Sequence, residues 1–459
     1  MSASRIAAEI SARNARATDV VEEYLDRIDR LDPVLGAFTV VDRRGARLAA
    51  IASDRYMAAG GEPRLLEGVP ISVKDSFDVA GLRTSVGRLS DSYVPTEDGP
   101  LVSRLRAAGA VILGKTNVPV MLDDWQTANR DFGRTMNPWD EDSSPGGSSG
   151  GAAAAIAAGL SAGDLGSDLY GSIRLPAAWC GIVGLRPSLG ELSKLGHAPW
   201  PRNSLLEPSF STAGPLTRSV RDVVLFWTAL GGDPISTLAN TGIRVGLWLD
   251  DSSAPITESS RATLMAFADQ LQHAGAEIVD FVPPFSGKEG VELANLLIGV
   301  ELAHNYDDES SKRLSALSRN NPEMAWARNL DQTISSVWTL WERQARLRNA
   351  WDAGFESVDV VLAPATYGSA PLMDEAIPAE RRLVVDGVDL VALDVVSAWS
   401  KMTNVISGPA LTVPAGLDAV TGLPVGIQLL GPHGSDSRIV SIAAEWERTG
   451  LIESLTHPA

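Results

Sequence analysis

One cysteine, Cys180, occurs in 459 residues, so no disulfide can form within the chain. That is the cysteine usage of a reducing compartment, and a cytoplasmic location is the expectation. Histidine is scarce as well. His197, His273, His304, His433 and His457 lie outside any G-x-S-x-G elbow, there is no H-E-x-x-H, and there is no cysteine cluster. Neither a histidine-based triad nor a metal site is expected. Basic residues are outnumbered, 39 Lys and Arg against 57 Asp and Glu, for a net charge of −18. Gripping a phosphate backbone takes clustered Lys and Arg, so nucleic acid is not an expected partner. Long apolar runs are missing too. The longest, around Ala152–Ala158, is far short of the roughly 20 residues of a membrane span. The N-terminal stretch lacks the apolar core of a signal peptide. No membrane association is expected.

What remains is the composition of a soluble globular protein, 44% hydrophobic and 21% charged, with enough chain to bury a large core. Length alone suggests about three domains of roughly 150 residues. No stretch has the polar, Pro/Gly/Ser-rich character of a linker, however, so a single domain over 1–459 is expected. Asp19 with Glu22 reads as a capping box, followed by helical spacing of Val20, Val21, Tyr24, Leu25, Ile28 and Leu31, with Asp32-Pro33 as the stop. Short apolar runs at Val69–Val73, Ala110–Leu113, Ile243–Leu247, Ile278–Phe281, Val360–Leu362 and Leu411–Val413 read as buried strands. Helical patterns separate several of them, for example Ala262–Leu271. Strands alternating with helices predict an α/β protein with a largely parallel or mixed sheet. Residues 288–351 read as helical, with Trp326, Trp338, Trp341 and Trp351 assigned to core and helix packing.

The densest signal is Ser144-Pro145-Gly146-Gly147-Ser148-Ser149-Gly150-Gly151, running into the alanine-rich segment. So many glycines allow a backbone path that side chains would block. A phosphate loop fails in detail, because no Lys-Ser or Lys-Thr follows at the required spacing and no G-x-G-x-x-G is present, so no nucleotide cofactor is expected. Taken alone, the loop is equally well read as a structural turn. Two other segments change the weighting. Gly166-Ser167-Asp168-Leu169-Tyr170-Gly171-Ser172-Ile173-Arg174 carries another serine after a glycine, and the apolar strand 69–73 ends at Lys74-Asp75. A lysine at the end of a buried strand is partly desolvated, which lowers its pKa. A neutral lysine can act as a general base beside serine.

These residues resemble the amidase signature family. Its hallmark is a G-G-S-S-G-G loop followed by a second serine in a G-S-I-R stretch, and Ser148 and Ser172 stand at the family's spacing of 24 residues. The flanks agree: Gly68-Val69-Pro70-Ile71 before Lys74-Asp75, Gly114-Lys115-Thr116-Asn117, Phe132-Gly133, Asn137-Pro138-Trp139, and Gly184-Leu185-Arg186-Pro187. The resemblance implies a central twisted mixed sheet flanked by helices. It also implies a small-molecule amide substrate, no cofactor, and a homodimer. By the same resemblance Lys74 is the base, Ser148 the bridging serine after a cis peptide bond, and Ser172 the acyl-forming nucleophile. The oxyanion hole would be built from backbone N–H groups of Leu169, Tyr170, Gly171 and Ser172. Ser149, Asp168 and Arg174 match positions that brace this geometry.

Two departures stand out. The family usually writes the oxyanion loop as D-T-G-G-S, whereas here it is Asp168-Leu169-Tyr170-Gly171-Ser172. Tyr170 is expected at negative φ with its ring beside the acyl pocket. Asp123-Asp124-Trp125-Gln126 replaces the Met-Asp-Glu-Phe-like segment of the family's glutamine-dependent tRNA amidotransferase branch, which favours a free-standing amidase. Asp123 or Asp124 could favour a cationic substrate group, and Tyr170, Trp125 and Asp124 are the pocket candidates. Segments 120–130, 190–210, 290–350 and 365–400 are expected to shape the pocket. The competing readings are one component of a tRNA amidotransferase, which needs a partner-docking surface, and a non-catalytic binding protein that keeps the fold.

Overall fold

The computed structural model describes residues 2–199, 204–207, 209–236, 242–303, 305–319 and 327–455. Eleven strands form one mixed sheet. In spatial order they are Phe38–Val41, Val111–Thr116, Pro70–Lys74, Gly163–Asp168, Thr212–Thr217, Val183–Arg186, Ala410–Leu417, Pro424–Leu430, Val360–Pro364, Arg244–Leu247 and Glu277–Asp280. Pro70–Lys74 lies between two parallel neighbours, while Gly163–Asp168 pairs antiparallel with Thr212–Thr217. All six apolar runs read as strands fall in this sheet.

The strand Pro70–Lys74 is buried along its whole length. Side chains alternate faces along a strand. Ile71 and Val73 therefore enter the main core, while Ser72 and Lys74 share the opposite face, where Ser72 Oγ donates to Asp164 Oδ2 at 2.6 Å. Beside it lies the helix Gly150–Ala157, whose residues Gly150–Ile156 are all buried. Alanine and glycine let this helix approach its neighbours closely, and a Cβ on Gly151 would stand 2.5 Å from the Asn117 backbone. Trp179, Trp227, Trp351, Trp399 and Trp446 are fully buried and anchor the packing between helices and sheet. Truncating one such tryptophan to alanine costs about 3–5 kcal/mol.

Some local expectations are corrected. The first long helix runs Ala17–Leu35, so Asp19 lies inside it rather than capping it. Its leading N–H groups are met instead by Asp54 from the neighbouring helix Arg43–Ala58, with Ala17 N–H donating to Asp54 Oδ1 at 2.7 Å. Pro33 does not stop the helix. So near the end its missing N–H removes a single bond, and termination falls to Gly36 at φ 64°. The 288–351 region divides into helices Gly287–Ala303, Asp308–Ser318 and Ile334–Gly354. Trp351 is core, as expected. Trp338 and Trp341 are 65% and 39% exposed and meet each other edge to face, because the 334–354 helix turns that side to solvent. Trp326, His304 and His457 lie outside the described residues. No helix among the described residues is long and apolar enough to cross a membrane.

Candidate active site

Lys74 ends its strand fully buried, with Nζ 2.8 Å from Ser148 Oγ, 3.0 Å from Ser167 Oγ and 3.3 Å from the Ser167 carbonyl oxygen. Burial pulls its pKa down from 10.5 to about 7, against the opposing pull of the Asp168 and Asp164 carboxylates. A neutral amine has two N–H donors and one lone pair. The two acceptors of Ser167 use the donors, which leaves the lone pair for the Ser148 hydroxyl. Asp164, on the same face, is pushed up to about 7 by burial.

Ser148 sits on the glycine loop after a cis peptide bond from Gly147. The glycines have a steric reason. A Cβ on Gly147 would lie 2.3 Å from the Asp124 carbonyl oxygen, and Gly146 stands at φ 83°. The loop is tied to the nucleophile segment by the Ser149 N–H, which donates to the Ser172 carbonyl oxygen at 3.3 Å. Ser149 therefore braces through its backbone, while its Oγ is buried without a partner among the described residues.

Asp168 organises the turn that presents Ser172. Its carboxylate accepts from the N–H groups of Gly171, Ile173 and Arg174 and from the Arg174 guanidinium on both oxygens, each at 2.9 Å. Burial alone would raise its pKa, but Arg174 more than offsets this and holds the carboxyl well below its usual range. Arg174 is itself fully buried and also donates to Thr403 Oγ1 and Asn404 Oδ1, both at 2.6 Å. Gly171 adopts φ 121°, which an L side chain rarely tolerates. The Gly171 N–H donates to Asp168 Oδ1 at 2.8 Å. The N–H groups of Leu169, Tyr170 and Ser172 make no hydrogen bond within the protein among the described residues, and neither does Ser172 Oγ.

Tyr170 avoids positive φ, and its hydroxyl donates to Asp123 Oδ1 at 2.9 Å. Loss of water around the Asp123 carboxylate raises its pKa to about 6, against the lowering pull of the Tyr170 hydroxyl. The other two pocket candidates both contact Arg381. Asp124 is gripped on both oxygens by Arg381 at 2.6 and 2.9 Å, and the guanidinium lies 5.1 Å from the Trp125 ring centroid. Trp125 lines a recess of about 600 Å³ with Tyr367, Met373 and Arg381, and Ser172 is not part of that lining. The pairing with Arg381 offsets the Asp124 charge, while the backbone of both residues lies against Gly147 of the serine loop.

Two neighbours of Lys74 were not singled out from sequence. Ser167 belonged to a quoted motif without a role. His197, set aside for lack of an elbow motif, places Nε2 2.8 Å from Ser167 Oγ. Burial holds its pKa well below 6.5, so the ring is neutral. It packs edge to face on Phe77 at 4.6 Å. No local motif marks it, since it is brought in by a loop from 30 residues downstream of Ser167.

The profile of the Amidase family matches residues 19–440. A Mycobacterium tuberculosis protein, AmiA2, whose amidase assignment is itself provisional, is 35% identical over 96% of this chain and 91% of its own. The amidase-related component of the glutamyl-tRNA(Gln) amidotransferase from Anaeromyxobacter dehalogenans is 32% identical over 96% of this chain and 94% of its own. The solved peptide amidase of Stenotrophomonas maltophilia superposes with a TM-score of 0.78 at 26% identity, over 100% of this chain and 99% of that one. Hydrolases and a transferase component are thus similar to the same extent, and overall likeness does not choose between them. The chain belongs to the amidase signature family.

Proposed function

We propose that this protein is a free-standing amidase that hydrolyses a small carboxylic amide through an acyl-enzyme on Ser172. The observation that carries the reading is Lys74, buried, drawn toward neutrality and in contact with Ser148. In the cycle, Lys74 Nζ takes the Ser148 proton as Ser148 Oγ takes the Ser172 proton. The two hydroxyls close to hydrogen-bond distance when substrate is in place, as catalytic contacts often do. Ser172 Oγ then bonds to the amide carbon, and the carbonyl oxygen becomes an oxyanion facing the free N–H groups of Leu169, Tyr170 and Ser172. Collapse breaks the C–N bond while the relay returns a proton to the leaving nitrogen. Water attacks the acyl ester next, giving its proton to the relay, and the acid departs with Ser172 restored.

A screen over aryl, alkyl and peptide amides tests this. Turnover by the chain alone, abolished in Ser172→Ala, is expected. A second reading, the amidase-related component of a tRNA amidotransferase, is supported by the comparable likeness to that class. It requires a chain that is inactive alone and gains glutamine hydrolysis only with its partner chains. Asp123-Asp124-Trp125-Gln126 in place of the segment usual in that class weighs toward the first reading.

A further inference from the structure

The helix Ala398–Asn404 packs against the loop that precedes the nucleophile. Asn404 Nδ2 donates to the Leu169 carbonyl oxygen, and a Cβ on Gly171 would lie 2.7 Å from Ser400 Oγ. Between these two residues lies Lys401, which the catalytic cycle does not use. It is only 6% exposed. Among the described residues its Nζ makes no hydrogen bond and has no carboxylate within ion-pairing distance. The Tyr170 ring lies against it, 6.0 Å from Nζ to the centroid. The ammonium is not among the polar atoms sealed from solvent, so the buried stem ends at an open tip. Asp394 and Asp123 act on it only from farther away.

A charge taken out of water without a partner is costly. Here burial pulls the lysine's pKa down against the opposing pull of Asp394 and Asp123, and among the described residues no carboxylate lies within ion-pairing distance of it. Asp123, by contrast, already holds the Tyr170 hydroxyl at 2.9 Å. The unpartnered member of the group is the cation. Tyr170 stands two residues before Ser172, and the helix that carries Lys401 meets the same loop at Leu169 and Gly171, so an anion on Lys401 would lie beside the segment that presents Ser172.

We infer that Lys401 is an anion subsite of the amidase pocket, and that the preferred substrates are small amides carrying a carboxylate a few bonds from the scissile carbonyl. This rests on Ser172 being the nucleophile. Binding supplies a charge-assisted contact to an ammonium that otherwise has none, and so favours an acidic amide over its neutral analogue.

The test compares the monoamides of malonic, succinic and glutaric acids with acetamide, butyramide and valeramide. The expected result is a higher kcat/KM for an acidic amide than for the neutral ones, with the acidic-to-neutral ratio falling at least about 30-fold in Lys401→Met and less in Lys401→Arg. Thermal unfolding of Lys401→Met, which replaces a lysine of buried stem by an apolar chain of similar length, is expected at an equal or higher temperature. A ratio unchanged by Lys401→Met, or a preference for cationic amides that depends on Asp123, overturns the subsite. A second arm does not need turnover. Succinate titrated calorimetrically into Ser172→Ala is expected to bind, and to weaken at least about 30-fold when Lys401→Met is added. Lys401-dependent binding together with an unreactive Ser172 would reject the nucleophile and keep the subsite. Amide turnover through Ser172 with no Lys401 dependence in either arm would reject the subsite alone.

Discussion

Lys74 Nζ stands 2.8 Å from Ser148 Oγ, at a depth where none of the lysine side chain reaches solvent. Burial brings its pKa down to about 7, so the amine is protonated and idle below that pH and neutral above it. kcat/KM is expected to rise with pH through about 7 and level off above it. A profile that is flat from pH 5 to 9 would remove Lys74 as the base. Lys74→Ala should lower kcat by about 10²- to 10⁴-fold, the usual worth of a positioned general base.

His197 is a positioning residue. Its neutral ring helps close the shell around Ser167 and Lys74. Replacing it by alanine admits water next to the amine and relieves part of the desolvation that depresses the Lys74 pKa. The rising, acidic limb of the pH–rate profile is therefore expected to move to higher pH in His197→Ala. Loss of stability with an unmoved limb would assign His197 a packing role only.

Arg174 and Asp168 are both fully buried and bonded on two edges at 2.9 Å. Removing one partner leaves an uncompensated buried charge. Arg174→Ala is expected to cost about 3–5 kcal/mol in denaturant unfolding. It should also lower activity, because Asp168 loses the clamp that fixes the Gly171 and Ile173 amides. A loss under about 1 kcal/mol, within the range of an exposed pair, would contradict the geometry.

Gly171 combines φ 121° with close approach to Ser400 and Leu175. Gly171→Ala is expected to lower kcat more than it raises KM, since it displaces the N–H groups aimed at the oxyanion rather than the substrate contacts. Steady-state kinetics on one amide separates the two. An effect confined to KM would place the loop in binding only.

The parts of this site that sequence made legible are those where backbone need and chemistry coincide. Glycines crowded around Ser148, and a lysine closing an apolar strand, have few structural uses. The strand Gly163–Asp168 was illegible as a strand because its sequence, GDLGSD, carries almost no apolar signal. In the sheet its neighbours meet part of its polarity, as Ser72 and Thr116 both donate to Asp164 Oδ2. His197, Asn404 and Lys401 were missed for a different reason. They reach the site through tertiary folding, Asn404 meeting Arg174 across 230 residues of chain, and no local pattern encodes that approach. The hydrogen bond from the Gly171 N–H to Asp168 was illegible because it is a matter of orientation rather than composition.

The central claim is that Ser172 carries the acyl group. Treating the purified protein with a fluorophosphonate and mapping the adduct by mass spectrometry tests it most directly. Stoichiometric modification of Ser172, lost in Ser172→Ala and slowed in Lys74→Ala, is the predicted result. Modification of Ser148 or another residue instead, or no modification at all in protein that hydrolyses amides, would contradict it.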